Sequence, residues 1–578
     1  MPITNAEIAE VFDRLAALVE IEGDSPFKVR AYQRAARTIT SLPVELSQMV
    51  QETADLRAVK GIGEQIAAKI HEIVTTGQMQ SYERKKAALP EGVLTILEVP
   101  GIGPKTAYRI ATDLGVTTVD ELERALADGR VAALPRMGEK ATESILQTLQ
   151  TRGAKGKRLP VSLTLPIAEQ VIAALRERCP SLKTLAPAGS LRRFEETVGD
   201  IDLMGTSDDP EKVLDAFADL PLVSEVLVHG PKKASVLVKG MQIDLRIVPE
   251  DQFGSLMQYF TGSREHNIQL RELAVRKGLS INEYGITHVD TGEMVAFSDE
   301  ASLYSYLDLQ YIPPELRQGL DEIDLARQGA IPHLIEEADL LGDLHAHTDQ
   351  SDGRDPLEAM IQAARERGLQ YIAITDHSRS STIANGLNED RLRHHVQHIR
   401  ELDSLLPDIK VLAGSEVDIR ADGTMDYSDE ILADLDFVVG SVHSAMEQDK
   451  AAMTRRVVRA MENPRVDVIG HLTCRLLGHR HPTNADVEVV LQAALRTGTA
   501  VEINCLPHRL DIKDTHARRA RDLGVPMIIS TDSHKFEDYS QARLGIGIAR
   551  RAWCEPKHVL NTLPLEGFLA SIKGHKRR

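Results

Sequence analysis

Hydrophobic and polar positions alternate in three different ways along the 578-residue chain. In the first 50 residues, apolar side chains recur every three or four positions, which predicts amphipathic helices. The recurring positions are Ile8, Val11, Phe12, Leu15, Leu18 and Val19. Further along, a helical pattern at Leu165–Leu175 precedes short apolar stretches that predict a small mixed sheet. Its strands are expected around Asp200–Leu203, Ser235–Val238 and Ile243–Val248.

After residue 340, short apolar runs alternate with helical stretches, a pattern that predicts a β/α barrel. His, Asp or Glu residues stand at the ends of these runs, beginning with His345 and His347 and with Asp352 in a polar turn. The carboxyl ends of barrel strands converge, so nine such residues at successive runs predict a shared site. Nitrogen and oxygen donors without a thiolate suit Mn²⁺, Zn²⁺ or Fe, and clustered cations would activate water to hydrolyse a phosphoester.

Carboxylates also interrupt the predicted mixed sheet. Asp200 and Asp202 are separated by one residue, so a strand would direct both side chains to one face. Two acids roughly 6–7 Å apart repel each other unless a divalent cation binds between them. Asp244 is a third acid within an apolar stretch, and the Gly189-Ser190 turn with nearby Arg193 can hold phosphate oxygens. Together they suit two-metal phosphoryl transfer.

Glycine-containing motifs open two predicted helices in the N-terminal third. Gly61-Ile62-Gly63 and Gly101-Ile102-Gly103 have the spacing of helix-hairpin-helix motifs, and a degenerate third copy covers Leu134–Ala141. Glycine lets backbone N–H groups at a helix N-terminus approach a DNA phosphate without reading the base sequence. We therefore expect DNA contacts at Gly61, Gly63, Gly101, Gly103 and Lys105.

The net charge of −18 is unevenly distributed. Residues 1–160 carry 21 Lys and Arg against 21 Asp and Glu, residues 161–337 carry 16 against 29, and residues 338–578 carry 31 against 36. Acid clusters that bind metal add to the negative count, so the global charge is a poor guide to partners. The neutral N-terminal third is the part expected to contact a phosphate backbone.

Cysteine usage and hydropathy exclude other classes of protein. Cys179, Cys474, Cys505 and Cys554 are far apart and form no C-x-x-C pair, which indicates neither a disulfide framework nor a zinc knuckle. The N-terminus lacks a signal segment, and no run approaches 18 apolar residues. We expect a soluble protein of a reducing, cytoplasmic compartment with no membrane partner.

The residues from Gly189-Ser190-Leu191-Arg192-Arg193 to Gly199-Asp200-Ile201-Asp202 resemble the palm signature of family X DNA polymerases, the polymerase-beta-like nucleotidyltransferases. The resemblance implies that Asp200, Asp202 and Asp244 bind two catalytic Mg²⁺ ions. It also implies that Gly189, Ser190 and Arg193 contact the phosphates of the incoming nucleotide.

The match to this family continues through Tyr259-Phe260-Thr261-Gly262-Ser263, which is similar to the hinge between palm and thumb. The resemblance places Tyr259 and Phe260 against the nucleotide sugar, where they disfavour a 2′-OH, and includes Gly262 in the nucleotide site. It places Asn267 and Arg271 on the minor-groove edge of the nascent pair. Arg264 and Ile268 depart from the family pattern, so gap-length preference and fidelity are not carried over.

In polymerase beta the first segment is a lyase domain, in which a Lys forms a Schiff base with the 5′-deoxyribose phosphate. Aligned on the hairpin glycines, that nucleophile corresponds to Lys69, and the phosphate pocket corresponds to Lys28 and Tyr32. A Lys on a DNA-facing helix is equally consistent with a plain phosphate contact. Both interpretations of Lys69 stay open.

The C-terminal pattern resembles the PHP (polymerase and histidinol phosphatase) domain, a distorted seven-stranded β/α barrel with up to three metal ions, here Mn²⁺ or Zn²⁺. The resemblance implies a set of nine metal ligands. They are His345, His347, Asp352, His377, Glu416, His443, His471, Asp532 and His534. Arg509 and His508 lie in a predicted loop as candidate phosphate contacts, and Cys474 is expected to be a bystander.

A family X polymerase followed by a PHP domain is the arrangement of bacterial family X polymerases, which combine α+β and α/β domains. It implies a repair polymerase that fills short gaps and a Mn²⁺-dependent 3′→5′ exonuclease, with cleavage at abasic sites left open. Expected partners are gapped or nicked double-stranded DNA and dNTPs, bound by a monomer. The expected domains are residues 1–85 and 86–155 (helix-hairpin-helix), 156–260 (palm), 261–335 (thumb) and 338–578 (PHP).

Two alternatives to this function remain. In the first, the PHP site hydrolyses pyrophosphate or a small phosphate monoester, or is structural, and DNA is left uncut. In the second, the protein is a DNA-end-binding scaffold with weak catalysis, against which the three palm acids argue.

Overall fold

The computed structural model describes residues 3, 5–40, 42, 46–51, 53–59, 61–97, 99, 102–134, 137–138, 142, 145 and 158–573. The chain forms two compact units, Met1–Gly156 and Lys157–Arg578. Among the described residues, no helix combines the length and the apolar character needed to cross a membrane.

The N-terminal unit is helical where it is described. Its helices are α1 (Asn5–Ile21), α2 (Pro26–Thr40), α3 (Leu46–Gln51), α4 (Glu64–Thr76), α5 (Gln80–Ala87), α6 (Val93–Leu97), α7 (Pro104–Leu114) and α8 (Val119–Ala127). The apolar positions of α1 are buried, and one core cluster joins α1 to α5 while a second joins α6 to α8. The predicted amphipathic helices are confirmed.

The glycine motifs lie at helix starts, as predicted. Gly63 is the N-cap residue of α4 and Gly103 that of α7, where Pro104 follows at the first helical position. Gly61 has φ +96°, a conformation that favours glycine. Gly101 and most of the third motif lie outside the described residues.

A five-stranded sheet forms the first part of the second unit. Its strands are β2 (Leu182–Pro187), β4 (Ile201–Ser207), β5 (Glu225–His229), β6 (Lys233–Val238) and β7 (Met241–Val248), in the order β2-β4-β7-β6-β5. β1 (Leu159–Pro160) and β3 (Thr197–Val198) form a separate antiparallel pair. Only β4 and β7 run parallel, so the predicted mixed sheet is confirmed. β4 begins at Ile201, so Asp200 precedes the strand in which it was expected.

Helices cover this sheet and continue into a smaller subdomain. They are α9 (Val161–Arg178), α10 (Gly189–Arg192), α11 (Pro210–Ala218), α12 (Phe253–Thr261), α13 (Arg264–Arg276), α14 (Glu300–Tyr306) and α15 (Glu322–Arg327). The helix predicted at Leu165–Leu175 is therefore longer than expected. The smaller subdomain adds an antiparallel sheet of β8 (Leu279–Ile281), β9 (Ile286–His288) and β10 (Met294–Val295) around its own core.

Seven parallel strands form the C-terminal part, and each pairs with the next in chain order. They are β11 (Gly342–Ala346), β12 (Tyr371–Ile374), β13 (Lys410–Asp418), β14 (Phe437–Ser441), β15 (Val468–Ile469), β16 (Ala500–Asn504) and β17 (Met527–Ser530). A bridge between Ala346 and Ser533 brings the first and last strands together, which nearly closes the ring. The predicted β/α barrel is confirmed.

Helices alternate with these strands and cover the barrel. They are α16 (Leu357–Glu366), α17 (Glu389–Ser404), α18 (Asp429–Asp434), α19 (Lys450–Glu462), α20 (Val487–Thr497), α21 (Asp514–Leu523), α22 (Ala542–Arg551) and α23 (Leu565–Ser571). Because helices cover the outside and side chains fill the inside, the strands are buried over almost their whole length. Their carboxyl ends all open on one side of the barrel.

Candidate active sites

Three carboxylates lie close together at the inner strands β4 and β7 of the mixed sheet. The parallel pairing of β4 with β7 sets Asp202 directly beside Asp244, and Asp200 precedes β4 by one residue. Burial and the neighbouring carboxylates of Asp200 and Asp244 raise the pKa of Asp202 to about 7. A divalent cation would stabilise the ionised form of a buried carboxylate whose pKa is raised in this way.

Asp244 has partners that sequence reasoning missed. Lys233 Nζ on β6 lies 2.7 Å from Asp244 Oδ2, and Gln242 Nε2 donates to Asp244 Oδ1 over 3.0 Å. Burial alone would raise the pKa of Asp244, but the Lys233 ammonium holds it below its ordinary value. No sequence signal indicates this contact, because it depends on the register that pairs Ser235 with Asp244 across the sheet.

The Gly-Ser turn lies directly over the acids. Gly189 has φ +60°, and a Cβ at this position would lie 2.4 Å from Asp202 Oδ2, so a side chain here would displace the carboxylate. Ser190 is partly buried in the short helix α10 that follows. Arg193 ends this helix and donates a hydrogen bond from Nη1 to the carbonyl oxygen of Thr261. The turn, the acids and the hinge residues thus form one site.

The hinge residues form a junction between two helices. α12 ends at Thr261, Gly262 has φ +68°, and the Ser263 hydroxyl caps α13 by accepting from the His266 N–H over 3.2 Å. Asn267 Nδ2 donates to the Tyr259 carbonyl oxygen over 2.7 Å. The bond from Asn267 connects the first turn of α13 to the last turn of α12.

The aromatic pair of the hinge is partly buried and has a cationic neighbour. The Tyr259 and Phe260 rings pack edge to face with 5.3 Å between their centroids. The Arg246 guanidinium lies over the Phe260 ring, 4.6 Å from its centroid, and comes from β7, two residues after Asp244. Arg271 is exposed, two turns along α13.

The barrel brings the predicted His, Asp and Glu residues together. Eight of the nine fall into three overlapping groups, and within each group the donor atoms lie within 4.8 Å of one another. The groups are His347-Asp352-His377-His534, His345-His347-Asp532 and His377-Glu416-His443. The ninth, His471, joins them through its Nε2, which lies 2.8 Å from Glu416 Oε1. All nine candidates therefore face one site.

The electrostatics of this site fit bound cations. Although burial alone would raise the pKa of Glu416 and Asp532, the surrounding imidazoles hold both pKa values well below the ordinary range. Burial lowers the pKa of His347 to about 4 and that of His471 to about 3, which keeps these imidazoles neutral. His345 Nε2 and His347 Nδ1 are buried without a hydrogen-bond partner. Although burial alone would lower the pKa of His345, His377, His443 and His534, the neighbouring carboxylates raise it, so these imidazoles hold protons that a bound metal ion would displace. Carboxylates and imidazoles gathered in this way are a donor set that suits a metal ion.

A second layer of acids orients the imidazoles, and sequence reasoning missed it. Glu502 Oε1 lies 2.7 Å from His345 Nδ1. The other oxygen of Glu502, Oε2, accepts a hydrogen bond from the backbone N–H of His471 over 2.7 Å. Asp418 Oδ1 lies 2.6 Å from His443 Nδ1. Such partners fix the ring orientation of metal-binding imidazoles. The signal was present: Glu502 is an acid inside the apolar strand β16, and Asp418 lies two residues after Glu416 on β13.

Arg509 lies at the edge of the same site. Its Nε is buried without a hydrogen-bond partner, 3.8 Å from Asp532 Oδ2. Burial and the Arg509 guanidinium lower the pKa of neighbouring His508. Cys474 is buried, and burial raises the pKa of its thiol to about 12. It belongs to none of the three groups, and its assignment as a bystander stays a prediction.

The N-terminal unit holds a cavity of about 450 Å³ lined by Lys28, Tyr32, Lys69, Ser81 and Lys85. Lys69 Nζ donates to Ser81 Oγ over 2.8 Å, and burial lowers the pKa of Lys69. Lys28 Nζ lies 2.6 Å from Asp24 at the rim. Lys105 is exposed in the first turn of α7.

Four family models match the chain. The DNA polymerase beta thumb matches residues 256–318, and the PHP domain matches residues 343–505. A helix-hairpin-helix domain matches residues 3–79, and a SAM-like helix-hairpin-helix tandem matches residues 93–151. These matches cover the N-terminal helices, the smaller subdomain and most of the barrel.

Curated relatives fall into two kinds. The chain is 35% identical over 570 residues to the DNA polymerase/3′-5′ exonuclease PolX of Bacillus subtilis (strain 168), covering 98% of this chain and 99% of the relative. It is 29% identical over 252 residues to a probable phosphatase of Shewanella sediminis (strain HAW-EB3), covering 41% of this chain and 96% of that relative. A probable phosphatase of Thermoanaerobacter sp. (strain X514) is 28% identical over 238 residues, covering 39% of this chain and 91% of that relative.

Proposed function

The chain belongs to the bacterial family X DNA polymerases that carry a C-terminal PHP domain, and from this premise we propose which residues perform its polymerase and 3′→5′ exonuclease reactions. The enzyme is metal-dependent and binds DNA. Nucleotide addition is assigned to the mixed sheet and hydrolysis to the barrel. The proposed substrates are dNTPs and gapped or nicked double-stranded DNA, bound by a monomer.

For nucleotide addition, Asp200, Asp202 and Asp244 would hold two Mg²⁺ ions, which supply charge stabilisation at the attacking and leaving oxygens. The observation that carries this proposal is the register of Asp202 beside Asp244 under the Gly-Ser turn. Ser190, Arg193 and the N–H of Gly189 orient the triphosphate. Tyr259, Phe260 and Gly262 lie against the sugar, and Asn267 and Arg271 contact the nascent pair.

The two helix-hairpin-helix motifs hold the DNA backbone around the gap. Their proposed contacts are Lys28, Tyr32, Gly61, Gly63, Gly101, Gly103 and Lys105. Backbone N–H groups at helix starts bind phosphate whatever the base sequence, as gap filling at arbitrary positions requires.

For hydrolysis, the nine barrel residues would hold up to three Mn²⁺ or Zn²⁺ ions, which supply a metal-activated water near neutral pH. Glu416 lies between several imidazoles and would be one of the ligands, while Glu502 and Asp418 hold His345 and His443 in orientation. Arg509 would bind the scissile phosphate through its guanidinium group, whose Nε has no hydrogen-bond partner.

The test is a gel assay with a 5′-labelled gapped duplex and Mn²⁺, with and without dNTPs. Extension with dNTPs and primer shortening without them are expected. Extension without any shortening would contradict the exonuclease. Release of inorganic phosphate from a small monoester would then favour the activity that the names of the phosphatase relatives describe.

Replacing Arg509 with alanine is expected to lower exonuclease turnover roughly 10²-fold, because one charge-assisted contact to the phosphate is lost. Primer extension by the same preparation should stay within twofold of wild type. The matched control is Arg496→Ala, which removes an exposed Arg paired with Glu462 on the outer helices. An Arg509→Ala enzyme with wild-type exonuclease rate would exclude the phosphate contact.

A second candidate function is 5′-deoxyribose phosphate lyase activity at Lys69. Burial lowers the pKa of Lys69, which increases the neutral amine that attacks an aldehyde. Lys28 and Lys85 line the same cavity and would bind the 5′-phosphate. In this step Nζ adds to the C1′ aldehyde and water leaves, which gives the Schiff base.

Borohydride reduction during incubation with a nicked abasic substrate is expected to trap a covalent protein–DNA product. Lys69→Ala should abolish the product, because its amine is the proposed nucleophile. Lys86→Ala, an exposed Lys on α5, is the control and should leave the yield unchanged. Equal trapping by Lys69→Ala would leave Lys69 as a plain phosphate contact.

A further inference from the structure

Helix α22 of the barrel packs directly against the nucleotide-binding turn of the polymerase. A Cβ at Gly547 would lie 2.2 Å from ring atoms of Phe194, so the Phe194 ring occupies the space beside this helix. Phe194 follows Arg193 and has φ +55°, a conformation that bulky residues adopt only when their surroundings hold them. The barrel therefore fixes the chain immediately after Arg193.

Arg551, the last residue of α22, connects three groups. Its Nη1 donates to the carbonyl oxygen of Arg193 over 3.0 Å and lies 3.2 Å from Glu195 Oε1. Its Nε donates to Asp514 Oδ2 over 2.7 Å, which anchors the guanidinium to the barrel. The Arg551 side chain is 10% exposed, so solvent cannot easily replace these bonds.

Glu195 is shared between two guanidinium groups. The Glu195 Oε1 atom that meets Arg551 at 3.2 Å also lies 3.6 Å from Arg193 Nε. If Arg551 were absent, Glu195 would be free to pair fully with Arg193. An Arg that is already paired with a carboxylate attracts a triphosphate less strongly.

The same end of α22 also contacts the smaller subdomain. Arg550 Nε donates to Glu315 Oε1 over 2.8 Å, and Gln318 Nε2 donates to the Arg551 carbonyl oxygen over 3.1 Å. Trp553, just beyond the helix, belongs to the core cluster of that subdomain. Arg551 thus contacts both the nucleotide-binding turn and the smaller subdomain.

We propose that Arg551 is a positioning residue for nucleotide addition, although it belongs to the nuclease barrel. It fixes the backbone of the phosphate-binding turn and keeps Glu195 from neutralising Arg193. The inference rests on the proposed role of Arg193 at the triphosphate. It makes dNTP affinity in the polymerase dependent on a side chain that touches neither the nucleotide nor a metal ligand.

The test compares steady-state KM for dNTP and kcat in the full-length protein. Arg551→Ala is expected to raise KM about tenfold with kcat changed less than threefold, and to leave exonuclease within twofold of wild type. Adding Glu195→Gln to Arg551→Ala should return KM most of the way to wild type, because the competing carboxylate is gone. Arg543→Ala, which breaks the ion pair of α22 with Glu169 on α9, is the control and should change neither constant.

Three outcomes overturn part of this account. If Arg193→Ala raises KM but Arg551→Ala does not, the positioning role is wrong. If the double variant is no better than Arg551→Ala, Glu195 does not mediate the effect and the inference also fails. If Arg193→Ala leaves KM unchanged, the proposed function of Arg193 itself fails. Should Arg551→Ala lose exonuclease as well, the same comparison is made with Arg551→Lys, alone and with Glu195→Gln.

Discussion

Asp202→Asn is expected to lower nucleotide addition by about 10³-fold or more while primer shortening in Mn²⁺ stays within twofold of wild type. Asn has the same shape as Asp but lacks the charge that would hold a cation between β4 and β7. The measurement is single-turnover extension of the gapped duplex, with exonuclease assayed on the same preparation.

The same substitution is expected to stabilise the folded protein when no metal is bound. The pKa of Asp202 is raised from its ordinary value of 3.8 to about 7. The cost of ionising this buried acid therefore destabilises the native state as the pH rises above 3.8. Removing the carboxylate should raise Tm in EDTA at pH 8, with a smaller gain at pH 5. Asp215→Asn, at an exposed acid beside His229, is the control and should change neither extension nor stability in this direction.

A wild-type extension rate in Asp202→Asn would remove the mixed sheet from the polymerase reaction. Loss of both activities together, with a normal thermal unfolding curve, would show that the two sites are not separate.

The local parts of both sites could be predicted from the sequence, because each is a short segment with a fixed period. Asp202 and Asp244 stand in apolar strands, and the barrel candidates stand at strand ends, where topology alone brings them together. Gly63 and Gly103 likewise predict the starts of α4 and α7.

Contacts between distant segments could not be predicted. Lys233 meets Asp244 only through the register of β6 with β7, and one residue of shift would separate them. Arg551 and Arg193 are 358 residues apart, and no periodicity connects them. Glu502 is recognisable in the sequence as an acid inside an apolar strand. Its contact with His345 could not be predicted, because it depends on how the barrel closes.

The largest expected effect on hydrolysis is that of Glu416→Gln, which should lower exonuclease by about 10³-fold or more and leave primer extension within twofold of wild type. Glu416 lies 2.8 Å from His471 Nε2 and 2.9 Å from His377 Nδ1. Its carboxylate is therefore the central negative charge among the imidazoles. Gln keeps the side-chain volume of Glu, but its neutral amide lacks the negative charge with which a carboxylate binds a cation.

A second readout separates metal loss from a packing defect. Metal analysis after dialysis against Mn²⁺ should find at least one ion per chain fewer in Glu416→Gln than in wild type, because the buried imidazoles lose the charge that balances cations. Glu462→Gln, on the outer helix α19 and paired with Arg496, is the control and should keep both metal content and activity. Full exonuclease in Glu416→Gln would place hydrolysis outside the barrel. Reduced extension alongside lost hydrolysis would instead mean that the two activities are not independent.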